Sequence, residues 1–110
     1  MAKALIIKTD GTQEIKEFTV GDSYELIREG VGGWIECVAL PNLNADMWVN
    51  EEGKLIGLPF NAFGTALWAT EYGLTDIIMG DIVITGGAND EGDTIGLTEE
   101  ALAEILTLVA

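Results

Sequence analysis

Met47-Trp48-Val49-Asn50-Glu51-Glu52-Gly53-Lys54-Leu55-Ile56-Gly57-Leu58-Pro59-Phe60-Asn61-Ala62-Phe63-Gly64-Thr65-Ala66-Leu67-Trp68-Ala69-Thr70-Glu71-Tyr72-Gly73 is the stretch that decides the fold. Alternation puts Met47 and Val49 on one face of a strand, and Asn50-Glu51-Glu52-Gly53 reads as a turn with Gly53 in its left-handed position. Lys54–Leu58 continues as a short strand or extended arm. A helix is expected from about Asn61, its cap, to Tyr72, with Phe60, Phe63, Gly64, Leu67, Trp68 and Tyr72 along a broad apolar face and Gly73 ending it. Gly64 costs that helix about 1 kcal/mol against alanine, which points to close packing against another backbone. Strand, turn and helix here carry no catalytic constellation.

Upstream, Ala4–Lys8 and Gln13–Phe18 flank Asp10-Gly11 and read as a hairpin whose imperfectly alternating second strand lies at an edge. A short helix follows, with Asp22 and Glu25 at capping-box spacing, Tyr24, Ile27 and Val31 on one face, and Gly30, Gly32 and Gly33 ending it. Trp34–Leu40 is a strand, broken by Pro41-Asn42-Leu43-Asn44. Downstream, Gly80-Asp81 turns the chain into a buried strand at Asp81–Thr85. A glycine-rich acidic loop, 86–94, comes next. Thr98 then caps a final helix with Glu99 and Glu100 in its first turn, a Leu97–Leu102 staple, and Leu102, Ile105, Leu106 and Val109 on one face. The expected architecture is α+β: one domain spanning 1–110, a mixed or antiparallel sheet of four to six strands, and three helices.

Charge is the unusual feature. Nineteen carboxylates face five basic side chains, for a net charge of −14, and Lys54 is the last basic residue. That balance repels phosphate, so direct binding of nucleic acid or of an anionic membrane is disfavoured. Solubility, a basic protein partner, or a cation remain as readings. No stretch approaches a membrane span or a signal peptide, which implies a cytoplasmic protein.

Without histidine the commonest general base and metal ligand is missing, and the single cysteine, Cys37, is expected as a small buried hydrophobe in its apolar run. Aligning Gly92 with the glycine of a calcium loop puts Gly87 and Thr98 where carboxylates are needed, so neither metal nor cofactor is expected. Paired carboxylates, Asp81 with Glu36 or Asp93, are the one enzymatic arrangement worth weighing. Trp34, Trp48 and Trp68 read by default as core. Trp48, between Asp46 and Asn50, could instead anchor an interface.

Gly33-Trp34-Ile35-Glu36, Val49-Asn50-Glu51-Glu52-Gly53-Lys54-Leu55 with Gly57-Leu58-Pro59 and Asn61, Gly80-Asp81-Ile82-Val83-Ile84-Thr85-Gly86 and Gly96-Leu97-Thr98 resemble a family of short bacterial and phage proteins of unknown function. The resemblance covers nearly the whole chain. It implies an intracellular accessory protein, phage or mobile-element encoded, with no catalytic residue to carry over.

The leading expectation is a non-enzymatic protein that binds a basic or nucleic-acid-binding protein through an acidic surface formed by Trp48, Asp46, Glu51, Glu52, Asp90, Glu91 and Asp93. The alternative is a small-ligand or cation-binding module centred on Asn50, Asn61 and the 86–93 loop, which must then converge on one pocket. A structural role, with exposed edge strands pairing into a homodimer, stays open.

Overall fold

A computed structural model describes residues 1–109. Five antiparallel strands form one sheet: β1 (Ala2–Ile7), β2 (Gln13–Phe18), β3 (Ile35–Leu40), β4 (Ala45–Asn50) and β5 (Ile82–Thr85), in the order β2-β1-β5-β4-β3. Three helices complete it: α1 (Tyr24–Val31), α2 (Ala62–Tyr72) and α3 (Glu99–Leu108). Two local hairpins, β1–β2 and β3–β4, stand apart until β5 enters between them, Ile84 pairing with both Leu5 and Met47.

Both faces of the sheet are covered, which explains why Ile82-Val83-Ile84 is apolar without alternation and β5 is buried throughout. Ile82 and Ile84 join Leu5, Ile7, Met47, Val49, Leu67 and Ile105 in the larger core, beneath α2 and α3. Val83, one residue out of phase, joins Ala4, Ile6, Phe18, Ile27 and Val31 beneath α1. β2 is an edge strand, as its sequence predicts, and β3 is the other edge.

The helix ends agree with the sequence except at α1. Asn61 and Thr98 accept from their helices' first free amides, whereas Ser23, not Asp22, is the N-cap of α1 and makes no side-chain cap bond. Asp22 instead donates its own amide to Thr19 in the preceding turn. Gly32, with φ 75°, ends α1 in the left-handed region.

Four other expectations need correction. Lys54–Leu58 is not an arm: Ile56 N–H donates to Glu52 C=O and Leu58 N–H to Gly53 C=O, so the chain coils through consecutive turns. The left-handed glycine there is Gly57 (φ 71°), not Gly53. Gly53 is glycine for space, since a Cβ on it would lie 2.8 Å from the Met79 carbonyl oxygen. Trp34 is not core: it is exposed, with the Arg28 guanidinium 5.5 Å over its ring. Cys37 is exposed as well, because it lies on the edge strand β3, although its thiol is partly covered.

Candidate functional site

Asn50 and Asn61 are buried, and both are hydrogen-bonded to backbone. Asn61 is fully committed. Its Oδ1 accepts from Phe63 N–H (3.1 Å) and Gly64 N–H (3.0 Å), and its Nδ2 donates to Ile7 C=O (3.1 Å) and Gly80 C=O (2.9 Å). One side chain thus caps α2 and ties it to the end of β1 and to the turn before β5. Asn50 uses one amide hydrogen on Val31 C=O (3.2 Å) and accepts from Glu52 N–H (2.8 Å). It fixes the end of α1 against the turn after β4. Gly33 lies so close above it that a Cβ there would meet Nδ2 at 2.8 Å.

Beside Asn50 the surface opens into a cavity of about 300 Å³ between the β3–β4 hairpin, α2 and the loop before β5. Val38, Val49, Trp68, Ile78 and Met79 supply apolar walls; Glu36, Glu51, Lys54 and Asp76 supply the charge. Strand alternation accounts for Glu36, Val38 and Val49 sharing that side, because Glu36 pairs with Val49 across the hairpin. Trp68 is held in place by its Nε1–H donating to Thr75 Oγ1 (2.9 Å) and by the Tyr72 ring 4.6 Å away.

Lys54 Nζ donates to Asp76 Oδ1, joining the two loops of the cavity, and this bond holds the Asp76 carboxyl below its ordinary value. Glu36 and Glu51 take part in no ion pair among the described residues. With one cation against three carboxylates, the lining carries a net charge of −2. Leu55, Ile56, Leu74 and Ile77 stand exposed on the loops that carry Lys54 and Asp76. An anionic pocket with an aromatic wall and an apolar margin is suited to a cation that carries hydrocarbon.

Of the site candidates read from sequence, Asn50, Glu51 and Glu36 lie at this cavity, Glu36 without its candidate partner Asp81. β4 divides the rest. Asp46 pairs with Thr85, so it and the following loop with Asp90, Glu91 and Asp93 lie toward one end, and Glu51 and Glu52 follow the other end. The span of β4 is about 16 Å at the usual strand rise. Asn89 Oδ1 organises the 86–93 loop by accepting from Glu91 and Asp93 N–H, both at 3.0 Å. Trp48 is half-buried against the α1-side core, its Nε1–H donating to Thr85 Oγ1 (2.9 Å). Asp81 accepts from Thr9 N–H (2.9 Å) and lines other hollows, beside Glu29 and Gly30, apart from Glu36. No group of three Asp, Glu or Cys able to hold a metal occurs among the described residues.

Glu36, Lys54, Trp68 and Asp76 were not singled out together from sequence. Glu36–Asp76 is a separation of forty positions, and only the insertion of β5 brings the 74–80 loop against the β3–β4 hairpin. On the other face of the sheet, Cys37 pairs with Trp48 and lies diagonally across from Asp46. Burial raises the thiol to about 11, with the Asp46 charge adding to it, and burial also raises Asp46 itself.

Among described residues, no helix is long and apolar enough to cross a membrane. No curated protein and no solved structure matches the chain. A family model described as Domain of unknown function (DUF3846) matches residues 2–110. The chain belongs to the DUF3846 family.

Proposed function

We propose that this protein is a non-enzymatic binding module whose site is the cavity beside Asn50, and that its ligand is a small organic cation, an amine or guanidinium on an apolar stem. The observation that carries this reading is the lining: two carboxylates with no ion-pair partner among the described residues, Glu36 and Glu51, above walls of Val38, Val49, Trp68 and Met79. A charged head placed between the carboxylates would leave its stem against the tryptophan and methionine. The protein's net charge of −14 adds a long-range attraction for any cation. Neither Asn61, saturated by backbone, nor the remote 86–93 loop is needed.

The wider acidic surface fits this reading less well as a single docking face, since its carboxylates fall toward the two ends of β4. We place the protein in a cytoplasm, as an accessory protein of the kind phages and mobile elements carry. It has no direct contact with nucleic acid or membrane.

Calorimetric titration with butylamine, agmatine and butanol tests the site. Saturable binding of both cations, absence of binding by the alcohol, and loss of about tenfold in affinity in Glu36→Gln are expected; one charge-assisted hydrogen bond has that scale. Equal response to amine and alcohol, or an unaltered Glu36→Gln, would remove the assignment.

A further inference from the structure

The edge strand that borders the cavity is itself incomplete. Glu51 N–H donates to Trp34 C=O (2.8 Å), which makes Trp34/Glu51 a hydrogen-bonded pair of the antiparallel ladder. Such pairs recur every second residue, so Glu36, Val38 and Leu40 direct their backbone groups to β4, and Ile35, Cys37 and Ala39 direct theirs outward. Ala39 C=O is already taken, by the Tyr72 hydroxyl at 2.6 Å. The N–H and C=O of Ile35 and Cys37 and the N–H of Ala39 have no backbone partner among the described residues.

From this geometry we infer that β3 accepts an extended basic peptide by strand addition, with one lysine or arginine side chain entering the cavity. The inference rests on the cation site proposed above and names where the cation comes from. A strand added outside β3 carries every second side chain on the face shared by Glu36 and Val38, at cross-strand contact distance from them. That is the face on which the cavity opens.

Charge selects the occupant. A second copy of this chain would bring another −14 to the edge and a second Glu36 to the same face, whereas a basic segment brings the missing counter-charge. Tyr72 sets the length. By occupying Ala39 C=O it closes the far end of β3, leaving room for pairing around Ile35 and Cys37 alone.

The test uses the whole protein and an acetylated, amidated peptide of alternating valine and threonine with one central lysine. Two analogues carry N-methyl groups on one or the other alternate set of amides, and a third replaces lysine by norleucine; butylamine is the control. The expected result is affinity at least about tenfold above butylamine, from a pair of main-chain hydrogen bonds. One N-methylated analogue should lose that gain and the other keep it, while the norleucine peptide binds at least about tenfold more weakly. Hydrogen exchange at the Ile35 and Cys37 amides should slow on binding.

Peptide and butylamine binding alike, with both N-methyl analogues unaffected, would overturn strand addition and leave the cation site standing. Binding of neither would remove both. Concentration-dependent dimerisation with the Ile35 and Cys37 amides protected in the absence of peptide would assign the edge to a second copy and overturn the proposal.

Discussion

At the scale of single residues, Asn61 is fully committed, with four side-chain hydrogen bonds to backbone. Its oxygen caps α2, and its nitrogen satisfies two carbonyls from distant segments. Asn61→Ala should cost about 2–4 kcal/mol in chemical denaturation, the sum of a lost cap and unpaired buried carbonyls. Asn61→Asp separates the two roles: it keeps the cap oxygen but sets a carboxylate against Ile7 and Gly80 carbonyls. It should be as damaging as alanine, and a near-neutral aspartate would show that only the cap matters. The cap could be read from the sequence, because it is local. The second role could not, since Ile7 is fifty-four positions away and meets Asn61 only in the folded sheet.

Cys37 makes a second residue-scale prediction. Its thiol is raised to about 11, first by burial and then by Asp46. A folded-state value above the unfolded one means that its contribution to stability is complete below about 9 and is lost as pH rises through about 11. Although exposed, the thiol should alkylate slowly at neutral pH, with a rate midpoint at about 11 when followed with iodoacetamide. A midpoint near 9.0 would contradict this environment.

At the scale of elements, α2 and the two loops beside it decide the cavity's shape. A Cβ at position 64 would lie 3.0 Å from Ile78 Cγ2 and 3.3 Å from Ile82 Cδ1. Gly64→Ala gains about 1 kcal/mol of helix propensity but incurs about 1–3 kcal/mol of overpacking, so it should destabilise by about 1 kcal/mol net. Stabilisation by a similar amount in thermal denaturation would show that Ile78 yields. The packing is tight, but against isoleucine side chains and not against the backbone that the sequence suggests.

Lys54 is the pocket's internal competitor, because its ammonium already serves Asp76. Lys54→Met should raise the cavity's affinity for butylamine by about two- to fivefold, the worth of one exposed ion pair released. Unchanged or weaker binding by calorimetry would mean that Lys54 helps to build the site. Sequence periodicity could not place this lysine. Lys54–Leu58 has enough apolar residues to read as a strand, yet backbone bonds from Ile56 and Leu58 back to Glu52 and Gly53 coil it.

At the scale of the whole molecule, architecture was largely legible and the site was not. Hairpins, helix caps and apolar periods are local, and they specify the elements of a sheet covered on both faces. Strand order is non-local: β5 completes the sheet between two hairpins formed much earlier in the chain. The cavity depends on that insertion. The same long-range arrangement separates Asp46 and the 86–93 loop from Glu51 and Glu52, which looked like one acidic set in the sequence.

Four salt bridges, all at exposed or half-exposed side chains, engage only three carboxylates, Glu14, Asp76 and Glu99, among the described residues. Raising sodium chloride from about 0.02 to about 0.5 M should therefore increase the melting temperature by several degrees, as screening relieves self-repulsion more than it weakens these pairs. A fall in melting temperature would mean that the surface pairs dominate.

The cation site is tested most directly by a nuclear magnetic resonance titration of the labelled protein with butylamine, following backbone amides and the Trp68 indole. The account predicts saturable shifts confined to Glu36, Val38, Val49–Lys54, Trp68 and Asp76–Met79, the segments around the cavity. Shifts spread evenly over the acidic surface, rising linearly with amine and centred on no cavity residue, would contradict it.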